Sequence, residues 1–242
     1  MDGSRLIVAL DFATADEARA FVARVTPAQC RVKVGLELFT VAGPAFVTEL
    51  AERGFDVFLD LKFHDIPNTV AQACSRAAGL GAWMLNVHTL GGRRMLEAAR
   101  EAIDKVSRRP LLIGVTVLTS HEAHEVEEVG LSGDLGAQVE RLTALAADTG
   151  LDGVVCSPLE AERLRRRFSA PFALVTPGIR PTGSDRQDQR RTLTPAEAIA
   201  QGADYLVVGR PVTRAPDPSA VLGAIVQEIR TAEGRQSRKI PG

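Results

Sequence analysis

The feature that most constrains the fold is a regular alternation of apolar runs and helical segments. Eight runs rich in Val, Ile and Leu recur along the 242 residues, and a segment with helical periodicity follows each one. The runs occupy residues 5–12, 31–38, 55–63, 82–90, 111–119, 151–158, 172–179 and 204–211. Near-continuous apolar strands are typical of a parallel sheet covered on both faces, and eight units favour a closed barrel over an open sheet. The alternation therefore predicts an α/β fold, a single (β/α)8 TIM barrel.

The ends of the helical segments and the C-terminus define the expected domain boundaries. Glycine stands where a helix C-cap is expected at Gly54, Gly81, Gly150 and Gly202. No linker or low-complexity stretch divides the chain, so we expect one barrel domain over residues 1–232. Residues 233–242 are polar and have no apolar period, which predicts a frayed C-terminal tail.

Composition excludes several functional classes. The net charge of -1 gives no indication of a nucleic-acid surface or of an acidic membrane as partner. Apolar runs such as residues 6–10 are far shorter than the roughly 20 residues of a membrane span. The N-terminus has no basic region followed by a long apolar core, which favours a cytoplasmic location. We therefore expect no nucleic acid and no membrane among the partners.

The cysteine and histidine spacing does not predict a metal site. Cys30, Cys74 and Cys156 are far apart and form no CxxC pair, so buried free thiols are the better interpretation. The stretch HEAHE at 121–125 matches neither HExxH nor HxxEH. It lies in an acidic segment and is interpreted as a solvated face.

Charged residues interrupt the third apolar run. Side chains alternate along a strand, so Phe58, Asp60, Lys62 and His64 share the face opposite Val57, Leu59, Leu61 and Phe63. In a barrel with helices outside, the face that carries Asp60 and Lys62 is turned toward the interior. The same alternation turns Asp11, Lys33, Asn86 and His88 inward on three other strands. Polar groups from four consecutive strands therefore converge near the C-terminal mouth, where the active sites of barrels lie.

A structural ion-pair network is the alternative interpretation of these charges. A buried ion pair seldom stabilises a fold more than apolar residues of the same volume would. Two lysines together with two or three acids in one barrel mouth are therefore a poor choice for stability alone, and we favour a functional role.

A second polar group follows the last two strands. Residues 176–191 form a long connection rich in Gly, Pro and Arg, which has the length of a lid. Gly209 allows backbone N–H groups to approach an anion, and Arg210 offers a bidentate fork. Alternation alone turns Arg210 toward the helices, so it must bend over the rim, and a surface arginine is the alternative. Combined with Arg180, these residues predict a phosphate site, which is frequent at this place in the fold.

At these residues the chain resembles the orotidine 5'-phosphate decarboxylase family, and is most similar to its bacterial branch. The segment DLKFHDIPNTV (60–70) resembles the family's signature around its catalytic lysine. Further blocks occur in the family's order: LDF (10–12), KVGLELF (33–39), TVLTS (116–120), TPGIRPTG (176–183) and YLVVGRPVT (205–213). Related sugar-phosphate decarboxylases and aldolases share DxKxxD, but the set of blocks is specific.

The resemblance implies a catalytic group of four residues. Lys62 would donate the proton to C6 of the pyrimidine, with no metal or other cofactor. Lys33, Asp60 and Asp65 would complete an alternating charge array with it. Asp60 would lie near the substrate carboxylate, and Asp65 would reach the site of the partner subunit in a homodimer with shared active sites.

The resemblance also implies how orotidine 5'-monophosphate is held. Asp11 and Lys33 would contact the ribose hydroxyls, with Thr69 contributed by the partner subunit. Thr119 would hold the pyrimidine edge, with Ser120 as a further candidate. The phosphate would be bound by Arg180, Gln189, Gly209 and Arg210, with Gln187 as the alternative to Gln189.

The expected activity is decarboxylation of orotidine 5'-monophosphate to UMP and CO2, the final step of pyrimidine nucleotide synthesis. A metal-dependent sugar-phosphate decarboxylase or aldolase on the same scaffold is the first alternative, although DIPNTV and the VLTS block look unlike that branch. A non-catalytic phosphate-binding barrel is the second, against which the intact charges in the mouth argue.

Overall fold

Eight parallel strands form a closed barrel in the computed structural model, which describes residues 5–131, 133–181 and 192–237. The strands are β1 Leu6–Ala9, β2 Arg31–Gly35, β3 Val57–Phe63, β4 Met84–His88, β5 Leu111–Val115, β6 Gly153–Val155, β7 Ala173–Thr176 and β8 Tyr205–Val208. Each strand pairs with its sequence neighbours, and β8 pairs with β1. Every strand lies inside one of the eight apolar runs. The predicted (β/α)8 barrel is confirmed.

Helices connect the strands around the outside of the barrel. They are α1 Ala15–Val22, α2 Leu36–Glu52, α3 Pro67–Ala78, α4 Arg93–Asp104, α5 Ala123–Glu128, α6 Leu135–Asp148, α7 Pro158–Arg167, α8 Pro195–Ala200, α9 Arg210–Thr213 and α10 Pro218–Ser237. A 3-10 turn spans Thr89–Gly91. The predicted helical segments all contain a helix, whereas the short α5 and α9 were not predicted.

The C-terminal helix is longer than the sequence indicated. α10 continues through Ser237, so residues 233–237 of the predicted frayed tail are helical. Residues 238–242 lie outside the described residues. The assignment of residues 1–232 to one domain stays a prediction.

The barrel wall separates two apolar clusters. The inner cluster fills the barrel and consists of Ile7, Ala9, Phe58, Met84, Ile113, Ala173, Val175 and Val207. The larger cluster lies between strands and helices and includes Leu6, Val8 and Leu10 of the first strand region. Successive residues of β1 therefore face opposite sides of the wall, as alternation predicted. Burial of apolar surface, at about 25 cal/mol per Å², is the main term that holds helices and strands together.

An aromatic and cationic stack lies at the N-terminal end of the barrel. Trp83 and Tyr205 meet edge to face, with their ring centroids 5.1 Å apart. The Arg31 guanidinium lies 4.3 Å from the Trp83 centroid and 5.3 Å from that of Tyr205. Trp83 and Tyr205 pack against the inner cluster. They lie at the N-terminal end of the barrel, which contributes to stability, whereas active sites lie at the C-terminal end.

The three cysteines are free and buried, as the sequence predicted. Burial raises the pKa of the Cys30 and Cys74 thiols to about 12, and it raises that of Cys156 well above the ordinary value. The thiols therefore stay protonated at neutral pH and act as small apolar residues. None of the described helices is long and apolar enough to cross a membrane.

Candidate active site

A cavity of about 250 Å³ opens at the carboxyl ends of the strands. Its apolar wall includes Phe58, Val115, Val155 and Val207. The predicted site residues that line it are Asp11, Lys33, Asp60, Lys62, Thr119, Arg180, Gly209 and Arg210. These residues come from β2, β3 and the segments that follow β1, β5, β7 and β8. The cavity is the candidate active site, since the active sites of barrels lie at this face.

Four charged side chains alternate in sign along one side of the cavity. The Lys33 Nζ lies 3.3 Å from Oδ1 of Asp11 and 3.2 Å from Oδ2 of Asp60. The Lys62 Nζ lies 2.7 Å from Oδ1 of Asp60. Asp60 is 8% exposed, and each of its two carboxylate oxygens accepts a hydrogen bond from one lysine ammonium. The sequence placed these residues near each other, and the structure joins them in the order Asp11–Lys33–Asp60–Lys62.

The array keeps its central members charged. Burial disfavours the ionised form of Asp60, but Lys33 and Lys62 and the hydrogen bonds from Lys62 and Asn86 outweigh it and lower the pKa of Asp60. Burial also disfavours the Lys33 ammonium, yet Asp60 and Asp11 raise the pKa of Lys33 above its ordinary value. At neutral pH, Asp60 is therefore an anion and Lys33 a cation.

The backbone of β3 is irregular where it carries Lys62. Leu59 pairs with Leu85 and Phe63 with Val87, so residues 60–62 lie opposite a single residue of β4, Asn86. Lys62 has a φ of 51°, the only positive φ of a non-glycine residue in the described part of the chain. This left-handed conformation costs an L-residue about 1–2 kcal/mol. The bulge re-aims the Lys62 side chain at the cavity.

Asn86 fills the space opposite the bulge. It is fully buried, and its Nδ2 donates to Oδ1 of Asp60 at 2.6 Å. Its Oδ1 accepts from the backbone N–H of Lys62 at 2.8 Å. One side chain therefore holds both the carboxylate and the backbone of the lysine. Alternation placed Asn86 inside the barrel, but no sequence signal indicated the bulge or this pair of hydrogen bonds.

Two histidines lie near the array: His88 is the last residue of β4, and His64 follows the end of β3 and is exposed. The rings of His64 and His88 are tilted, with centroids 5.6 Å apart. Burial, then the proximity of His64 and Lys62, lowers the pKa of His88. The Nδ1 of His88 has no hydrogen-bond partner among the described residues. His88 is therefore neutral at neutral pH and adds no third cation next to Lys62.

Two guanidinium groups line the cavity beyond the ends of β7 and β8. Arg180 follows β7 and is 8% exposed, and Arg210 is the first residue of α9. The Nε of Arg180 has no hydrogen-bond partner in the described part of the chain, while one Nη donates to the Ile179 carbonyl at 3.1 Å. Burial, together with the nearby Arg210, lowers the pKa of Arg180. A buried, incompletely paired cation next to another cation is a strong site for an anion.

The end of β8 explains how Arg210 reaches the cavity. The strand stops at Val208, and Gly209 is the N-cap of α9. Alternation no longer applies beyond the strand, so Arg210 turns over the rim instead of facing the outer helices. A Cβ built on Gly209 would lie 3.7 Å from Oδ2 of Asp11 and would occupy the wall of the cavity.

Two predicted site residues, Asp65 and Thr69, do not line the cavity. Asp65 is exposed, and its Oδ1 accepts from the N–H of Ile66 at 2.6 Å. It forms no ion pair within the described residues. Thr69 is exposed in the first turn of α3. Gln189, like its alternative Gln187, lies outside the described residues, as does most of the predicted lid 176–191.

The other candidates are near the cavity or apart from it. Thr119 lines the cavity, whereas Ser120 is exposed next to it. In the HEAHE stretch, Nδ1 of His124 lies 3.7 Å from Glu122 on the surface of the region around α5. Across residues 5–131, 133–181 and 192–237, no three His, Cys, Asp or Glu side chains are grouped so that they could hold a metal ion.

The closed barrel and the charged cavity at its mouth define the class: a (β/α)8 barrel with a catalytic site for a small anionic ligand. Residues 4–225 match the sequence profile of the Orotidine 5'-phosphate decarboxylase / HUMPS family. The chain belongs to this family, which confirms the resemblance seen in the sequence.

Individual relatives agree over nearly the whole chain. The orotidine 5'-phosphate decarboxylase of Chromobacterium violaceum is 59% identical over 234 residues, which cover 97% of this chain and 95% of that protein. The orotidine 5'-phosphate decarboxylase of Laribacter hongkongensis is 60% identical over 222 residues, which cover 92% of this chain and 91% of that protein. The crystal structure of orotidine 5'-phosphate decarboxylase from Lactobacillus acidophilus superposes with a TM-score of 0.84 at 37% identity, covering 93% of this chain and 98% of the other.

Proposed function

We propose that the chain decarboxylates orotidine 5'-monophosphate to UMP and CO2, as a carboxy-lyase. The observation that carries the proposal is the Asp11–Lys33–Asp60–Lys62 array in a cavity that Arg180 and Arg210 also line. Such a cavity fits a small ligand with a phosphate at one end and a reacting anion at the other. Relatives covering more than nine-tenths of the chain bear the name of this enzyme.

The array suits the electronic demand of this reaction. When the bond between C6 and the carboxylate carbon breaks, CO2 leaves and the electron pair stays on an sp2 carbon with no adjacent carbonyl. A preorganised cation close to that carbon stabilises the charge. The Lys62 ammonium is held 2.7 Å from Asp60 and is aimed at the cavity. It then delivers a proton to C6, which gives UMP, and regains a proton from solvent.

Asp60 has two effects in this proposal. Its Oδ1 accepts a hydrogen bond from the Lys62 ammonium at 2.7 Å and so holds that group at the cavity. It also stands near the substrate carboxylate, so that like charges are separated as CO2 departs.

The remaining contacts bind parts of the substrate that are remote from the reacting carbon. Arg180, Arg210 and the backbone at Gly209 bind the phosphate, and Asp11 and Lys33 contact the ribose hydroxyls. Thr119 lies at the cavity wall where the pyrimidine edge would be. Binding energy from the remote phosphate can be used to order the site around the reacting end. Gln189 belongs to the same proposal as a phosphate ligand.

We also propose a homodimer in which the two subunits share their active sites. Asp65 and Thr69 are exposed and do not line the cavity of their own chain. Their exposure and the absence of an ion pair between Asp65 and any described residue fit groups that serve a neighbouring subunit. A cytoplasmic location stays a prediction.

The test is turnover by the purified chain with orotidine 5'-monophosphate and EDTA. We expect loss of the orotate absorbance and formation of UMP at the same rate with EDTA or with added Mg²⁺. A parallel reaction offers a keto-sugar phosphate in Mg²⁺, the substrate class of the metal-dependent alternative. Turnover of the sugar phosphate that EDTA abolishes, without turnover of the nucleotide, would establish that alternative instead.

A further inference from the structure

The conformation of Lys62 needs an external restraint. Its φ of 51° is unfavourable for an L-residue. Residues 60–62 of β3 face one residue of β4, so the regular ladder supplies no partner at this point. Lys62 is also the terminal member of the array and contacts only Asp60 there. A small rotation of its backbone would move the ammonium by a large arc, because the side chain is long.

Asn86 supplies that restraint through both ends of its amide. The oxygen accepts the Lys62 backbone N–H, and the nitrogen donates to Asp60. A carboxamide is suited to this position because it combines one acceptor, two donors and no net charge. A carboxylate could accept from Lys62 but would repel Asp60, and an apolar side chain would leave both partners unsatisfied.

We propose that Asn86 is a positioning residue that fixes the direction of the Lys62 ammonium relative to the reacting carbon. It does not line the cavity, so it acts through Lys62 and Asp60 and not on the ligand. The inference rests on the proposed function, because it concerns the same site. A lysine misplaced by about 1 Å loses on the order of 100-fold in rate, while contacts to ribose and phosphate remain.

The substitution that tests this role is Asn86→Leu, which keeps the volume and removes both hydrogen bonds. We expect kcat to fall by about 100-fold, with KM and the Kd for UMP changed by less than about 3-fold. The control is Thr143→Val. Thr143 is fully buried in α6 and donates one hydrogen bond to the Val139 carbonyl at 2.8 Å. The Thr143→Val substitution should lower the thermal midpoint of unfolding but leave kcat unchanged.

A binding measurement keeps the test independent of turnover. A UMP analogue with an ionised oxygen on C6 places a negative charge where the carbanion would form. We expect the wild type to bind this analogue far more tightly than UMP, and Asn86→Leu to lose about 100-fold of that preference. If the wild type shows no preference and no turnover, the proposed function fails. If the wild type shows both and Asn86→Leu keeps both, only the role of Asn86 is overturned.

Asn86→Asp serves if the leucine variant does not fold. It keeps the acceptor for the Lys62 N–H but puts a second carboxylate next to Asp60. We expect at least a 10-fold loss of kcat at pH 8 with UMP affinity retained. Wild-type kcat at that pH, or a loss of UMP affinity equal to the loss of kcat, would contradict a positioning role.

Discussion

At the scale of single residues, Asp60 is the centre of the site. It touches Lys33, Lys62 and Asn86 at 3.2, 2.7 and 2.6 Å. These contacts outweigh the cost of burial and keep it ionised. Removing the charge leaves two ammonium groups facing one another without an anion between them. Stability and catalysis therefore depend on the same carboxylate.

Asp60→Asn tests this dependence through pH. The folded-state pKa of Asp60 is lowered, so its stabilising effect is complete above the unfolded pKa of about 3.9 and is lost as pH falls through the folded value. We expect the variant to be less stable by about 3 kcal/mol at pH 7. Urea unfolding from pH 7 to pH 3 should show this difference constant above about pH 5 and shrinking below pH 4.

The matched control for Asp60→Asn is Glu101→Gln on the surface. Glu101 pairs with Lys105 in an exposed i,i+4 contact, and its removal should leave the unfolding midpoint unchanged at pH 7. A difference between wild type and Asp60→Asn that grows on acidification would show that Asp60 is not held as an anion.

Arg180→Met tests the anion site. Burial disfavours the Arg180 cation, and its Nε finds no partner in the described residues, so the neutral side chain should stabilise the free protein. We expect the thermal midpoint to rise by about 2–4 °C, which corresponds to about 1 kcal/mol in a chain of this size. Affinity for UMP should fall about 100-fold and affinity for uridine should not change.

Calorimetric titration with UMP and with uridine separates the outcomes for Arg180. Arg166→Ala is the control, since Arg166 is exposed on α7 and pairs with Glu162; it should alter neither affinity. Equal losses for both ligands in Arg180→Met would place this arginine away from the phosphate.

At the scale of elements, strand alternation predicted the site as far as the strands are regular. It correctly turned Lys33 and Asn86 inward, because β2 pairs regularly with β1 and β3, and β4 pairs regularly with β5. Asp11 also lines the cavity, although it lies two residues beyond the end of β1. Alternation could not predict the bulge at residues 60–62, since that irregularity depends on how β3 and β4 fit together. It also misplaced Arg210, because β8 ends two residues earlier and α9 begins there.

Glycine substitutions test how tightly the barrel wall is closed. A Cβ on Gly153 in β6 would lie 2.1 Å from the Ala173 carbonyl oxygen of β7, and backbone cannot move aside cheaply. We expect Gly153→Ala to destabilise the protein by about 3 kcal/mol. A Cβ on Gly223 in α10 meets nothing within 4 Å, so Gly223→Ala should stabilise by about 0.5–1 kcal/mol. Urea unfolding should show that the two substitutions change the free energy of unfolding in opposite directions. Equal changes in that free energy would contradict the close approach of β6 and β7.

At the scale of the whole molecule, the two ends of the barrel differ. The N-terminal end carries the Arg31, Trp83 and Tyr205 stack, while the charged array and the two arginines lie at the opposite end. Eight repeated units made this polarity predictable, because parallel strands bring all their carboxyl ends to one face. Subunit assembly was not predictable in the same way, because nothing in one chain's periodicity specifies a partner surface.

A mixing experiment tests the proposed shared site. Lys62→Ala and Asp65→Ala each remove one member of the site, and each variant alone should be inactive. If Lys62 and Asp65 act across subunits, random exchange of equal amounts makes half of the dimers mixed, each with one intact site. Activity should then return to about one quarter of the wild-type value. No recovery after denaturation and joint refolding would show that both residues serve the same chain's site or that no dimer forms.

Lys62 is the residue on which the proposed catalysis depends most, and the rate of decarboxylation by Lys62→Ala tests its role most directly. The reaction uses orotidine 5'-monophosphate with EDTA. Lys105→Ala is the control, since Lys105 is exposed at the C-terminal end of α4 and pairs with Glu101. We expect the rate to fall by at least about 10⁴-fold in Lys62→Ala, because both the stabilising charge and the proton donor are removed. Binding of UMP should persist, and the control should match the wild type. Turnover by Lys62→Ala at the wild-type rate would contradict the account.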